Sequence, residues 1–281
     1  MVFDVLCIAS WNADLISRVP RPIARGETLH ASAFEILPGG KGSNAAIACA
    51  RQGARVAVIA RIGDDAFGRL AMEVWKREGI ETTHIQTTRE QSSGVAQILV
   101  YDDGDNSIAV AAGANAGLRV STIPDSKVVV SSCEVPLEAT QKAFALARKA
   151  GATTILNPAP ARKLPAELIA LCDVLVTNET EFAHLSDTTG VKAIVVTLGA
   201  RGCRLLRPNG TSLELPARPV RVVDTVGAGD TYVGALAAAL ARGETLERAL
   251  AWANAAAGLS VTGRGALGGM PTRDAVAALL R

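Results

Sequence analysis

Residues 128–157 read VVVSSCEVPLEATQKAFALARKAGATTILN, and this stretch decides the fold class. Val128-Val129-Val130 is apolar without alternation, the pattern of a strand covered on both faces. Residues 137–149 follow with a helical pattern, and residues 153–157 return to a β-rich run. Strand, helix and strand in about thirty residues make a βαβ unit, which joins parallel strands. The same alternation continues outward. Strands are predicted at 2–9, 55–62, 174–177 and 193–198, and helices at 43–52, 65–78, 166–171, 179–185, 229–242, 246–261 and 272–280. The expected fold is one α/β domain spanning residues 1–281: a three-layer α/β/α sandwich around a mostly parallel sheet.

A (β/α)8 barrel shares this alternation. Three segments do not fit eight regular repeats. Residues 14–35 interrupt the first β-to-α connection. Residues 93–111 alternate (Val95, Gln97, Leu99, Tyr101), turn at Asp103-Gly104 and return over 106–111. Two such excursions, about 13–34 and 93–112, are expected to pair into a small β lid. Residues 202–216 carry Asn209-Gly210 between short β runs, a strong hairpin signal.

Composition narrows the function classes. With 49% apolar and 20% charged residues, the chain is globular, not disordered. A net charge of +2 gives no argument for a nucleic-acid or anionic-membrane partner. The N-terminal residues lack a signal-peptide pattern, and the longest small-apolar run, 235–240, is too short for a span, so a cytosolic protein is expected. Five scattered cysteines fit reduced, buried thiols, and three scattered histidines form no zinc motif.

The chemistry concentrates in Asp224-Thr225-Val226-Gly227-Ala228-Gly229-Asp230-Thr231, followed by a helix of small residues. Two glycines and an alanine let backbone N–H groups crowd where a helix begins. Such a terminus carries unpaired donors and about half a positive charge, a ready site for phosphate. Asp230 there can accept the proton of an attacking hydroxyl, or merely cap the helix; the local pattern allows both. Gly39-Gly40-Lys41-Gly42-Ser43-Asn44 also opens a helix. It is not a Walker loop, because Lys41 is followed by Gly. Gly263-x-Gly265-x-x-Gly268 has dinucleotide spacing but follows a helix, which disfavours a dinucleotide oxidoreductase.

Taken in order, these segments resemble the PfkB-type (ribokinase-like) carbohydrate kinases along nearly the whole chain. The carrying segments are Asn12-Ala13-Asp14, Gly39-Gly40-Lys41-Gly42-Ser43-Asn44, Gly63-Asp64-Asp65, Asn157-Pro158-Ala159-Pro160-Ala161-Arg162, Asn178-Glu179-Thr180-Glu181, Thr197-Leu198-Gly199-Ala200-Arg201-Gly202 and Asp224 through Asp230. The resemblance implies an ATP-dependent sugar kinase acting on a primary hydroxyl, with ribose the first substrate to expect. Fructose, 2-keto-3-deoxygluconate or a nucleoside are the alternatives, and a non-catalytic sensor on the same fold is a further one.

The resemblance also assigns residues. Asp230 matches the catalytic base, and Gly227, Ala228 and Gly229 an anion hole. Asn12, Asp14, Gly40, Lys41, Asn44 and Glu134 match sugar-binding positions. Asn178, Thr197, Leu198, Gly199, Ala200, Arg201, Gly202, Gly229 and Asn254 match positions around ATP. Glu181 matches a position near Mg²⁺, acting directly or through water. A monovalent cation, K⁺ in the first place, would take Asp224 and carbonyls of Val226, Val261, Arg264, Ala266 and Met270. A homodimer formed through the lid is expected.

Two departures stand out. The stretch 186–192 is shorter than the family's helix-bearing segment there. Ser132 stands where the resemblance leads one to expect Gln, which bears on the choice of sugar.

Overall fold

The computed structural model describes residues 2–185 and 188–281. In chain order the first half contains β1 (Phe3–Ile8), β2 (Asn12–Arg18), β3 (Ala33–Gly39), α1 (Lys41–Arg51), β4 (Val56–Gly63), α2 (Ala66–Arg77), β5 (Ile85–Thr88), β6 (Gly94–Val100) and β7 (Asn106–Ala111). The second contains β8 (Ser126–Ser132), α3 (Leu137–Lys149), β9 (Thr153–Asn157), α4 (Ala166–Ile169), β10 (Val174–Asn178), α5 (Glu179–Ala183), β11 (Ala193–Thr197), β12 (Cys203–Leu206) and β13 (Ser212–Leu215). It ends with α6 (Ala228–Ala241), α7 (Leu246–Ser260), α8 (Gly265–Gly268) and α9 (Arg273–Leu280).

Nine strands form the central sheet, in the order β13-β12-β11-β10-β9-β8-β1-β4-β5. From β11 to β5 all neighbours are parallel; β12 and β13 add an antiparallel edge. The hairpin at Asn209-Gly210 therefore extends the main sheet. The βαβ unit that decided the fold class is β8, α3 and β9, with Val128 beside Thr153.

Side chains on one strand alternate between two cores. From β1, Val5 and Cys7 pack with α1, α2, α6, α7 and α9, whereas Leu6 and Ile8 pack with α3 and α4. Because the middle of the sheet is covered on both faces, residues 5–8 of β1, 56–60 of β4 and 128–130 of β8 are apolar without a break, whereas the edge strands β12 and β13 carry exposed Arg204 and Glu214. All five cysteines are buried and free. Burial pushes the Cys133 and Cys172 thiols up to about 12, so neither is a ready nucleophile.

A second sheet of four strands, ordered β3-β2-β6-β7, stands apart from the first. Its centre, β2 beside β6, is parallel, and its outer pairs are antiparallel. The first excursion runs further than 13–34, because β3 continues to Gly39 and delivers the chain directly into α1. That helix starts at Lys41, two residues before its expected start, because Gly40 turns the chain at φ 92°. Strand β5 carries no alternating apolar pattern and escaped the sequence reading. Helices α4 and α5 are shorter than expected.

Residues 188–192 form no helix, while Ser186 and Asp187 of the shortened stretch lie outside the described residues. A surface groove of about 640 Å³ lies at this edge, lined by Phe182, Leu185, Val191, Ile194, Leu206 and Arg207 among others.

Candidate active site

The C-terminal ends of parallel strands supply most of the polar groups, as an open α/β sheet favours. Past β1 come Ser10, Trp11 and Asn12; past β8 comes Glu134; β10 ends on Asn178 and β11 on Thr197. Two helix starts face the same region. Helix α1 brings Lys41 and Asn44, and α6 brings Asp230.

Glu134 is held from two sides. Its Oε2 accepts from the Ser10 hydroxyl at 2.7 Å and from the Lys41 amide at 2.9 Å. The Ser10 Oγ in turn accepts from the Gly42 amide at 3.1 Å. This network pulls the Gly-Gly-Lys turn onto the end of β1. A side chain at Gly40 would meet the Ser10 carbonyl and the Asn12 amide at 2.8 and 2.9 Å, so close backbone approach excludes any larger residue.

Asp230 is only 8% exposed. Its Oδ2 accepts from Asn44 Nδ2 at 2.8 Å. Burial raises its pKa, Lys41 and the Asn44 hydrogen bond oppose the rise, and Glu134 and Glu181 add to it. Lys41 is raised in turn, chiefly by Asp230. Asp14 is raised to about 7 by burial first, then by the charges of Glu134 and Asp230. Asp230, Glu134 and Glu181 are thus coupled to one ammonium group, that of Lys41, and Asp14 to Glu134 and Asp230. A desolvated carboxyl with an elevated pKa is suited to take a proton.

Helix α6 begins at Gly227, which is left-handed at φ 78° and packs against Ala266. Ala228 and Gly229 follow as the first helical residues; the Ala228 amide donates to the Thr225 carbonyl in a long bond of 3.3 Å, and the Gly229 amide meets no backbone acceptor among the described residues. Asn44 Oδ1 and Thr231 Oγ1 are buried without a partner among the described residues. An orphaned buried acceptor costs about 1–3 kcal/mol until a donor arrives.

The second group of expected positions lies along β10 and β11. Asn178 and Glu181 form a reciprocal capping box on α5: Asn178 Oδ1 accepts from the Glu181 amide at 2.7 Å, and Glu181 Oε2 from the Asn178 amide at 2.9 Å. Thr197 Oγ1 donates to the Thr177 carbonyl at 3.1 Å. Leu198 through Gly202 make a tight turn closed by the Leu198 amide on the Gly202 carbonyl at 2.7 Å. Arg201 is drawn to Glu179 at 2.6 Å. Asn254 donates to the Leu215 carbonyl at 3.0 Å, so its amide braces β13.

Asp224 ties two loops, accepting from the Val226 amide at 3.0 Å and the Gly265 amide at 2.8 Å. The Val261 carbonyl accepts from the amides of Val223 and Asp224. The Met270 carbonyl accepts from Arg51 Nη1 at 3.3 Å, and the Leu267 carbonyl from the same nitrogen at 2.6 Å.

Sequence reasoning missed Ser10, Asn115 and Arg51. Asn115 Oδ1 accepts from the Trp11 amide at 3.0 Å, and its Nδ2 donates to the Trp11 carbonyl at 2.8 Å and to Asn12 Oδ1 at 3.0 Å. Ser132, at the departure noted above, lies buried with its Oγ 3.4 Å from the Glu134 amide.

A buried carboxyl beside a helix-start amide cluster, facing polar loops at a parallel sheet's edge, is the equipment of a phosphotransferase with an alcohol acceptor. The model of the pfkB family carbohydrate kinases matches residues 2–273, and the chain belongs to that family. It is similar to ribokinase of Bacillus subtilis, 37% identical over 292 residues and 99% of each chain. Ribokinase of Haemophilus influenzae is 36% identical over 291 residues, covering 95% of each. Among solved structures, Arabidopsis thaliana ribokinase complexed with ribose and ATP superposes with a TM-score of 0.93 at 30% identity, over 100% of this chain and 99% of that one. The expected family and three-layer fold are both borne out.

Proposed function

We propose that the chain transfers the terminal phosphoryl group of ATP to the primary hydroxyl of ribose, giving ribose 5-phosphate and ADP. The observation that carries this reading is Asp230: a buried carboxyl at the first turn of α6, held by Asn44, coupled to Lys41, Glu134 and Glu181, and itself acting on Asp14. The hydroxyl proton passes to Asp230 as its oxygen bonds to phosphorus and the bond to the ADP oxygen breaks. The amides of Gly227, Ala228 and Gly229 hold the phosphoryl oxygens. Asn12, Asp14, Gly40, Lys41, Asn44 and Glu134 seat the sugar. Asn178, Asn254 and the turn from Thr197 to Gly202 line the nucleotide, and the small sheet acts as the lid of a single working domain.

Mg²⁺ fits this arrangement. Among the described residues no cluster of three metal-ligating side chains exists. Mg²⁺ needs none, since it takes one or two carboxylates and the substrate's phosphates. Glu181 is the group that would meet it, neutralising charge on the phosphates. For a monovalent cation, Asp224 and the carbonyls of Val226, Val261, Arg264 and Ala266 are the fitting set. The Met270 carbonyl completes the set; like that of Val261, which meets the Val223 and Asp224 amides, it already accepts one hydrogen bond, from Arg51, and has a second lone pair to offer. No described helix is long and apolar enough to cross a membrane, and the proposed working place is the cytosol, where ATP is available.

The deciding experiment is ADP release measured against ribose, 2-deoxyribose, fructose, 2-keto-3-deoxygluconate and nucleosides, with and without K⁺. Ribose is expected to give the highest kcat/KM. Turnover of none of them would favour a sensor on this fold. In the same assay Asp230→Asn should keep ribose KM and lower kcat by roughly two to four orders of magnitude. Near-normal turnover of that variant would remove Asp230 from the chemistry.

A further inference from the structure

The small sheet joins the core through four crossing segments, and all of them meet at Trp11 and Asn12. The chain itself passes from β1 into β2 there. A side chain at Gly40, where β3 enters α1, would strike the Trp11–Asn12 backbone. A side chain at Gly94, where β6 begins, would collide with Asn12 Oδ1, Asn115 Nδ2 and the Trp11 carbonyl. Asn115 lies in a single 3-10 turn, Gly113–Gly117, on the return from β7 to β8.

The hydrogen bonds of Asn115 leave its carboxamide one orientation. The Trp11 amide can only donate and the Trp11 carbonyl can only accept, so Oδ1 must face the first and Nδ2 the second. The second proton of Nδ2 then points at Asn12, and only an oxygen can receive it. Asn12 Oδ1 does so at 3.0 Å. The carboxamide of Asn12 is therefore locked with its oxygen turned toward Asn115, and no described protein group receives its Nδ2. Asn12 is 4% exposed and Asn115 2%, so water does not offer either an easy alternative.

We infer that Asn115 is a positioning residue for sugar recognition: it fixes the flip of Asn12 so that this side chain presents donors, and only donors, to the sugar. The inference rests on the proposed sugar site. Its neighbours there supply the opposite polarity: Asp14, Asn44 Oδ1 and the free oxygen of Glu134 accept. A hydroxyl-rich ligand meets both kinds, and a site built this way rejects a ligand that leaves one unpaired.

A double-mutant cycle on ribose KM, at saturating ATP with ADP release as the signal, tests this. Asn12→Ala and Asn115→Ala are each expected to raise ribose KM roughly tenfold, the scale of a lost hydrogen bond in a buried site, while KM for ATP stays put. The double variant should be no worse than Asn12→Ala alone. Effects that multiply would show Asn115 acting independently of Asn12, and would overturn the inference. So would an Asn115→Ala enzyme that melts earlier with wild-type ribose KM, since Asn115 would then be a structural staple only. Should Asn115→Ala fail to fold, Asn115→Asp keeps the shape but turns an oxygen toward Asn12 Oδ1, and the same non-additivity is expected. An Asn12→Ala enzyme with wild-type ribose KM would instead remove the sugar-site reading itself, and this inference with it.

Discussion

At Asp14, burial and the charges of Glu134 and Asp230 hold the carboxyl up to about 7, against 3.8 for the unperturbed group. A raised carboxylate pKa means that the folded state binds a proton the unfolded state has already lost. Stability from this group is complete below about 4 and is lost as pH rises through 7. Three units correspond to an upper bound of about 4 kcal/mol, and to less here, since Asp14 is only half-buried. Asp14→Asn removes the repulsion. Its melting temperature is expected to exceed that of the wild type at pH 8 and to match it at pH 4. Ribose KM should rise, because a carboxylate acceptor is gone. Thermal melts at the two pH values check the first statement; equal melting temperatures at pH 8 would show that Asp14 carries no such tension. The site spends stability on a crowded set of carboxylates, a trade expected where function needs it.

At the scale of elements, the start of α6 is the most constrained point. Gly227 is left-handed, and a Cβ there would stand 2.7 Å from Ala266 Cα. Gly227→Ala therefore combines backbone strain of about 1–2 kcal/mol with a clash against the loop that Asp224 anchors. Shifting the amides by even an ångström is expected to lower kcat roughly a hundredfold with a smaller change in ribose KM. Gly258, inside α7 with open space where a Cβ would go, is the control. Gly258→Ala should leave kcat unchanged and stabilise by up to about 1 kcal/mol, read from denaturant unfolding. The glycine-rich turn was legible in the sequence because its chemistry is local: glycines, a helix start and a carboxylate lie within eight residues. The βαβ rhythm was legible for the same reason. Partners were not. Ser10 finds Glu134 across 124 residues, Asn115 finds Trp11 across 104, and Arg51 finds Leu267 across 216. No local pattern marks such residues, because each is an ordinary polar side chain until the fold brings its partner. The short edge strand β5 was hidden differently, since pairing with β4 rather than hydrophobic alternation makes it a strand.

The small sheet sets the terms for the whole molecule, since it has too little of the core against it to cover its apolar side chains. Register divides them between its faces. Ile36 pairs with Leu15 on one face, with Phe34 further along it. The other face holds two rows: Leu37, Asp14, Ala96 and Val110, then Glu35, Ile16, Ile98 and Ile108. Ile108 and Val110 are 57% and 58% exposed. Contiguous apolar surface of this kind marks an interface in a soluble protein. The proposed homodimer uses the face that carries Asp14, because its Ile16, Ile98 and Ile108 row crosses three strands without a break, whereas Gln97, Ser17 and Ser107 interrupt the other face. Ile108→Glu is expected to give a monomer in analytical ultracentrifugation at micromolar concentration, and Phe34→Glu, on the opposite face, a dimer. Since Asp14 shares the buried face, the Ile108→Glu monomer should also lose ribose affinity while keeping its affinity for ATP. A wild-type monomer at that concentration, or an Ile108→Glu protein that sediments as the wild-type dimer, would show that this face of the lid is not the interface.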